Sequence, residues 1–142
     1  MKTAEKAFVT VQTIISAPVE KVWNFWTNTK HIIHWNFASD DWHCPKAEND
    51  IRKGGKFNWR MEAKDGSFGF DFNGEYNTVV PNELIEYTIE DGRKVKIIFA
   101  GEGNQTHVAE IFEAETQNPA DMQKNGWQAI LNNFKKYVEK NS

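Results

Sequence analysis

Cysteine occurs once, so no disulfide can form within the chain, which agrees with a reducing compartment. Charge of one sign is not in excess: 17 basic against 20 acidic residues leave a net charge of −3 and a pI near 5.8. No large electrostatic attraction to nucleic acid or to anionic lipid follows from that balance. Long apolar runs are missing as well. The opening MKTAEKAFVTVQ is too polar for a signal peptide, and no stretch approaches the ~20 residues a spanning helix needs. A cytoplasmic location is expected. Repeats and low-complexity segments are absent, and 142 residues are the length of one domain.

Aromatic residues are what the chain has in plenty: six Trp, three Tyr and ten Phe, or 13% of the residues. Four of the six Trp, three of the four His and the only Cys fall in WNFWTNTKHIIHWNFASDDWHC, residues 23–44. Rings this dense in so polar a chain must be gathered in a core or a pocket.

The period of the apolar residues divides the chain. FVTVQTII (8–15) alternates and is β-branched, which predicts a strand. SAPVEKVWNFW opens a helix with Pro18 in its first position and Glu20 in its first turn. Val19, Val22, Trp23 and Trp26 fall on one stripe of it, so Trp23 reads as core. A second short helix is expected over 29–35. FASDDWHCPKAENDIRKGG shows no sustained period and reads as a long ordered loop, a lid over residues 36–52.

From Lys56 the period becomes two. Five strands joined by short turns predict an antiparallel meander, with Asp91-Gly92 as a type I′ turn. Phe57, Trp59 and Met61 share a parity, as do Phe68, Phe70, Phe72 and Tyr76, then Ile85, Tyr87 and Ile89, then Val95, Ile97 and Phe99. The opposite parity is polar, the mark of a sheet with one wet face. The last segment is the longest helix, with Asn118 as its cap, Pro119 opening it, and Trp127, Ile130, Leu131, Phe134 and Val138 on one face. The expected architecture is α+β: a curved antiparallel sheet of about six strands wrapped around a long C-terminal helix, with two short helices after the first strand.

Chemistry-bearing residues are scattered. His31, His34, His43 and Cys44 offer metal-ligand types, but no second close pair such as C-x-x-C and no H-E-x-x-H occurs. No metal is expected. Cys44 lacks a catalytic signature, G-x-S-x-G is absent, and DGSFGF is a hairpin turn rather than a phosphate loop. Among the acids, Glu110 has the dry-face parity of Val108 and Phe112, although a bulge or the parity of Ala109 and Ile111 would turn it to water. A carboxyl group on the dry face would have its pKa moved toward working pH. Glu62 and Asp71 are the reserves, and a solvated sheet face is the plain reading for both.

Together SAPVEKVWNFWTN, HWNFASDDWHCPKAENDIRKGGKF, MEAKDGSFGFDFNGEY and NGWQAILNNFKKYVE resemble bacterial members of the family named after the activator of the heat-shock protein 90 ATPase. That family lies in the START-like, birch-pollen-allergen-like helix-grip superfamily (SRPBCC), and the resemblance runs from about Val9 to the C-terminus. It implies a cavity between sheet and long helix that takes apolar ligands. Trp35, Trp42, Trp59, Met61, Phe70, Phe72, Tyr76, Tyr87, Phe99 and Glu110 are the expected lining, with Trp127, Leu131 and Phe134 as the helical wall. No cofactor is implied.

Three functions are then open: a binder of a small hydrophobic molecule, a cyclase or hydrolase using Glu110 or His107 as acid or base, and a protein-interaction module with a filled cavity. The family name implies chaperone contact, but much of that contact in the eukaryotic activator comes from a further N-terminal domain. Here the first strand begins within ten residues of Met1, so chaperone activation is not the expected role.

Overall fold

The computed structural model describes residues 8–141. One seven-stranded antiparallel sheet runs in the order β1-β7-β6-β5-β4-β3-β2. Its strands are β1 (Phe8–Ile15), β2 (Trp42–Asn49), β3 (Lys56–Ala63), β4 (Gly69–Val80), β5 (Leu84–Ile89), β6 (Lys94–Glu102) and β7 (Gln105–Glu113). Helices α1 (Val19–Thr27) and α2 (Thr29–Trp35) connect β1 to β2, at opposite edges of the sheet, and α3 (Ala120–Lys140) lies across the sheet's buried face. The α+β reading and the grip of sheet on helix hold.

The 36–52 lid does not: its centre is the edge strand β2. Pairing with β3 shifts register between His43 and Lys46, so an irregularity sits at Cys44-Pro45. That break hides the two-residue period, and an edge strand accepts Pro where no ladder hydrogen bond is needed. The sheet therefore has seven strands rather than about six.

Turn chemistry also departs from expectation at Asp91-Gly92. Gly92 alone takes a positive φ, +95°, and its N–H donates to the Ile89 carbonyl while Ile89 N–H donates to Arg93. This is a three-residue loop ending in a left-handed glycine, not a type I′ pair. At Pro81-Asn82, Asn82 takes φ +67° and Glu83 N–H reaches the Val80 carbonyl, as a Pro-led type II turn requires. At the start of α3, Pro119 occupies the cap position without a side-chain cap, and Asn118 instead donates to Glu115 Oε1. Pro18 likewise caps α1 rather than opening it.

The core follows the parity of the strands. Phe57, Trp59, Met61, Tyr76, Ile85, Tyr87, Ile97, Phe99, Val108 and Phe112 are buried beneath Leu131, Phe134 and Val138 of α3. Phe68 and Phe70 break the pattern at 62% and 42% exposure. Among the described residues their ring contacts are with each other and with Trp42, at the turn end of the β3-β4 hairpin. Helix α3 is held to β1 by polar contacts too: Lys135 Nζ donates to the Ile14 carbonyl, Gln128 Nε2 to the Gln12 carbonyl, and Ser16 N–H to Glu139.

Candidate binding cavity

Between α3 and the sheet lies a cavity of about 310 Å³, near the small end of the ~300–1,000 Å³ range of ligand sites. Trp59 and Met61 of β3, Phe72 of β4 and Tyr87 of β5 form its sheet wall, and Trp127 and Ile130 of α3 face them. Trp26 and Trp35 close one end. These rings are fixed by their neighbours: Trp127 stacks on Phe112 at 4.0 Å, Trp59 on Phe57 at 4.3 Å, and Trp35 Nε1 donates to the Phe25 carbonyl at 2.9 Å. Rigid walls of this kind hold space open because no single ring can turn to fill it.

Glu110 lies in this lining, 4% exposed. Strand β7 turns Thr106, Val108, Glu110 and Phe112 inward in alternation, and the residues paired with Glu110 are Val11 on β1 and Ile97 on β6. Both neighbours are apolar, and among the described residues no side chain or backbone group hydrogen-bonds the carboxyl. Burial alone therefore pushes its pKa from 4.5 up to about 8. Tyr87, also inward, is raised well above its usual value by burial first and by the nearby Glu110 second.

The polar part of the lining comes from Asn36, Arg93, Glu115, Asn118 and Gln123. Gln123 ties the β7-α3 connection down. Its Oε1 accepts from Glu115 N–H at 2.9 Å, and its Nε2 donates to the carbonyls of Glu115 and Asn118 at 3.1 and 2.9 Å. Arg93 is steadied by Asp91, which accepts from its Nε at 2.8 Å. Asn36 follows the last turn of α2, and its buried Nδ2 has no hydrogen-bond partner among the described residues; nor does the buried Trp59 indole N–H.

Of the expected lining, Trp35, Trp59, Met61, Phe70, Phe72, Tyr87, Glu110 and Trp127 meet at the cavity. Tyr76, Phe99, Leu131 and Phe134 do not; they are packed behind it. Tyr76 donates its hydroxyl to Asn49, Phe99 meets Trp23 and Trp26 edge-on, and Leu131 and Phe134 have no exposure at all. Trp42 stands aside from the lining, its ring against Phe68 and against Phe70 at the cavity's edge. A residue's parity gives its face, not its depth, which separates these groups. The sequence marks Trp26 and Ile130 only as helix core and Asn118 only as a helix cap; Asn36, Arg93, Glu115 and Asn118 come from connections and Gln123 from the first turn of α3, where no strand parity marks a side chain as lining.

The other candidates lie elsewhere. His107 points to the opposite face of β7 and pairs through Nε2 with Gln12 Oε1 at 2.9 Å, too far around the strand to act in the cavity. His31 Nδ1 meets the Tyr137 hydroxyl at 2.7 Å, His34 stacks on the Tyr137 ring, and His43 lies 3.7 Å from Glu62. Cys44 Sγ faces the Lys46 carbonyl, and burial pushes its thiol up to about 11. Among the described residues no three His, Cys, Asp or Glu come together to hold a metal ion. Glu62 and Asp71 flank Arg60 on the outer face of the sheet. No described helix is long and apolar enough to cross a membrane.

Comparison with known proteins places these features in context. Residues 16–139 match the family described as Activator of Hsp90 ATPase homolog 1-like protein. The solution structure of an AHSA1-like protein from Aeromonas hydrophila is 41% identical, with TM-score 0.89, over 95% of this chain and 94% of that one. A solution structure from Cytophaga hutchinsonii is 51% identical, with TM-score 0.80, over 94% and 92%. A crystal structure from Chromobacterium violaceum, 24% identical with TM-score 0.84 over 94% and 98%, shares the fold. No curated protein matches the chain.

Proposed function

Since the chain belongs to the Activator of Hsp90 ATPase homolog 1-like family, whose fold is that of a cavity protein, we propose that it binds a small hydrophobic molecule between sheet and α3. The supporting observation is the cavity itself: about 310 Å³ walled by four Trp, two Phe and a Tyr, with one buried acid, Glu110, on its sheet wall. Apolar burial supplies the affinity, and the few polar groups set orientation.

Two measurements test this reading. Native mass spectrometry of the purified protein is expected to show a co-purifying apolar molecule released on gentle activation. Ile130→Trp, which adds a ring to the helical wall, is expected to remove that mass while leaving the fold intact by circular dichroism. An adduct of unchanged abundance in Ile130→Trp would place the ligand elsewhere and sink the proposal.

A catalytic reading rests on Glu110, a carboxyl group titrating near neutral pH inside the cavity. Glu110→Gln separates the two: turnover by this group would vanish, whereas simple binding would survive.

A further inference from the structure

The polar groups of the lining divide unevenly between donors and acceptors. Gln123 Oε1 and Glu115 Oε1 already accept hydrogen bonds from within the protein. On the donor side, Arg93 is engaged only through Nε among the described residues, Tyr87 has no hydrogen-bond partner there, and Trp59 Nε1 and Asn36 Nδ2 are buried without one. Among the described residues the Glu110 carboxyl accepts no hydrogen bond and forms no ion pair, so its neutral form, which carries an O–H, is the one its burial favours.

The strand registers bring two of these groups to one side of the cavity. Tyr87 pairs with Val95, and Val95 pairs with Phe112, two residues from Glu110 on the same face of β7. Both side chains line the same space. Groups left without partners in a dry site favour the ligand that completes them and reject the one that does not.

We propose that the cavity selects an apolar, ring-sized molecule bearing a hydrogen-bond-accepting oxygen of the carbonyl type and no cationic group, with the Tyr87 hydroxyl and the Glu110 carboxyl O–H donating to that oxygen. This deepens the binding reading above and rests on it. The charges around Glu110 agree: Arg93, from the β5-β6 turn, disfavours a cation, and Glu115 beyond β7 has its Oε1 occupied by Asn118. The faces contributed by α1, α2, α3, β3 and β4 carry no ionisable side chain into the lining.

Three isosteric probes decide the matter by isothermal titration calorimetry: 2-ethylnaphthalene, 2-acetylnaphthalene and 2-(aminomethyl)naphthalene. At pH 6 the ketone is expected to bind about tenfold tighter than the hydrocarbon, the worth of about one net hydrogen bond, and the amine more weakly than either. Because only the protonated Glu110 donates, ketone affinity is expected to fall about tenfold between pH 6 and pH 9, while hydrocarbon affinity stays level. Glu110→Gln, which keeps a donor but cannot titrate, is expected to flatten that pH slope, and Tyr87→Phe to weaken the ketone but not the hydrocarbon. Equal binding of ketone and hydrocarbon, tighter binding of the amine, or a pH slope that persists in Glu110→Gln would each overturn the proposal while leaving a hydrophobic cavity standing. Binding of none of the three would count against the cavity as a binding site altogether.

Discussion

Replacing Glu110 by Gln should stabilise the protein, by an amount that grows with pH. The carboxyl is buried against Val11 and Ile97 with no hydrogen-bond partner among the described residues, and its pKa is raised from 4.5 to about 8 by burial alone. Between those values the unfolded chain gives up the proton and the folded chain keeps it. Folding then takes up a proton, so stability falls as pH rises. Each pKa unit is worth about 1.4 kcal/mol. Relative to a group that cannot titrate, Glu110 therefore costs about 1 kcal/mol at pH 5, about 3 at pH 7 and about 5 at pH 9, where the loss levels off.

Urea denaturation of the wild type and of Glu110→Gln at those three pH values gives the comparison directly, since the other titrating groups cancel in the difference. The expected result is a variant whose advantage over the wild type widens by about 4 kcal/mol from pH 5 to pH 9. A constant difference would mean that Glu110 ionises normally in the folded state, and the dry-cavity argument would fail with it.

Two further outcomes are expected. Cys44, buried and with its thiol pushed up to about 11, should resist iodoacetamide at pH 8 in the native protein and react promptly in urea; prompt labelling without denaturant would show that the β2 edge opens. Phe134→Ala removes a fully buried ring that meets Trp26 and Trp35 edge-on at 4.8 and 4.7 Å, and should cost about 3–5 kcal/mol in urea denaturation. A loss below about 1 kcal/mol would mean that the ring cluster between α3 and the two short helices is not part of the cooperative core.

The strands from β3 to β7 and the C-terminal helix are legible because most of their apolar residues keep one period between clear turn signals. β2 is not, since the break at Cys44-Pro45 puts residues on both sides of it out of step and an edge strand tolerates the proline that signals a loop. In the cavity, Glu110 was legible as one polar residue in an otherwise apolar alternation. Depth was not: Tyr76 and Tyr87 share the inward face, yet Tyr76 finds Asn49 and leaves the lining while Tyr87 stays in it. Gln123 illustrates the remaining gap. Its three hydrogen bonds to the connection ahead of α3 depend on how that connection closes over the helix, and no local pattern encodes a closure.

The strand order carries a consequence for how the chain reaches this state. Five of its six ladders join strands that follow one another in sequence, while the sixth brings Phe8–Ile15 against Gln105–Glu113, across most of the chain. α3 then lies against that same first strand through Ile14 and Gln12, and against Ser16 just after it. The opening segment thus has nowhere to dock until the last hairpin exists, and the last helix loses part of its seat until the opening segment arrives. Closing so long a loop carries an entropic cost that local pairings do not, so the two ends act as a single clasp, each needing the other in place before the enclosed space is complete.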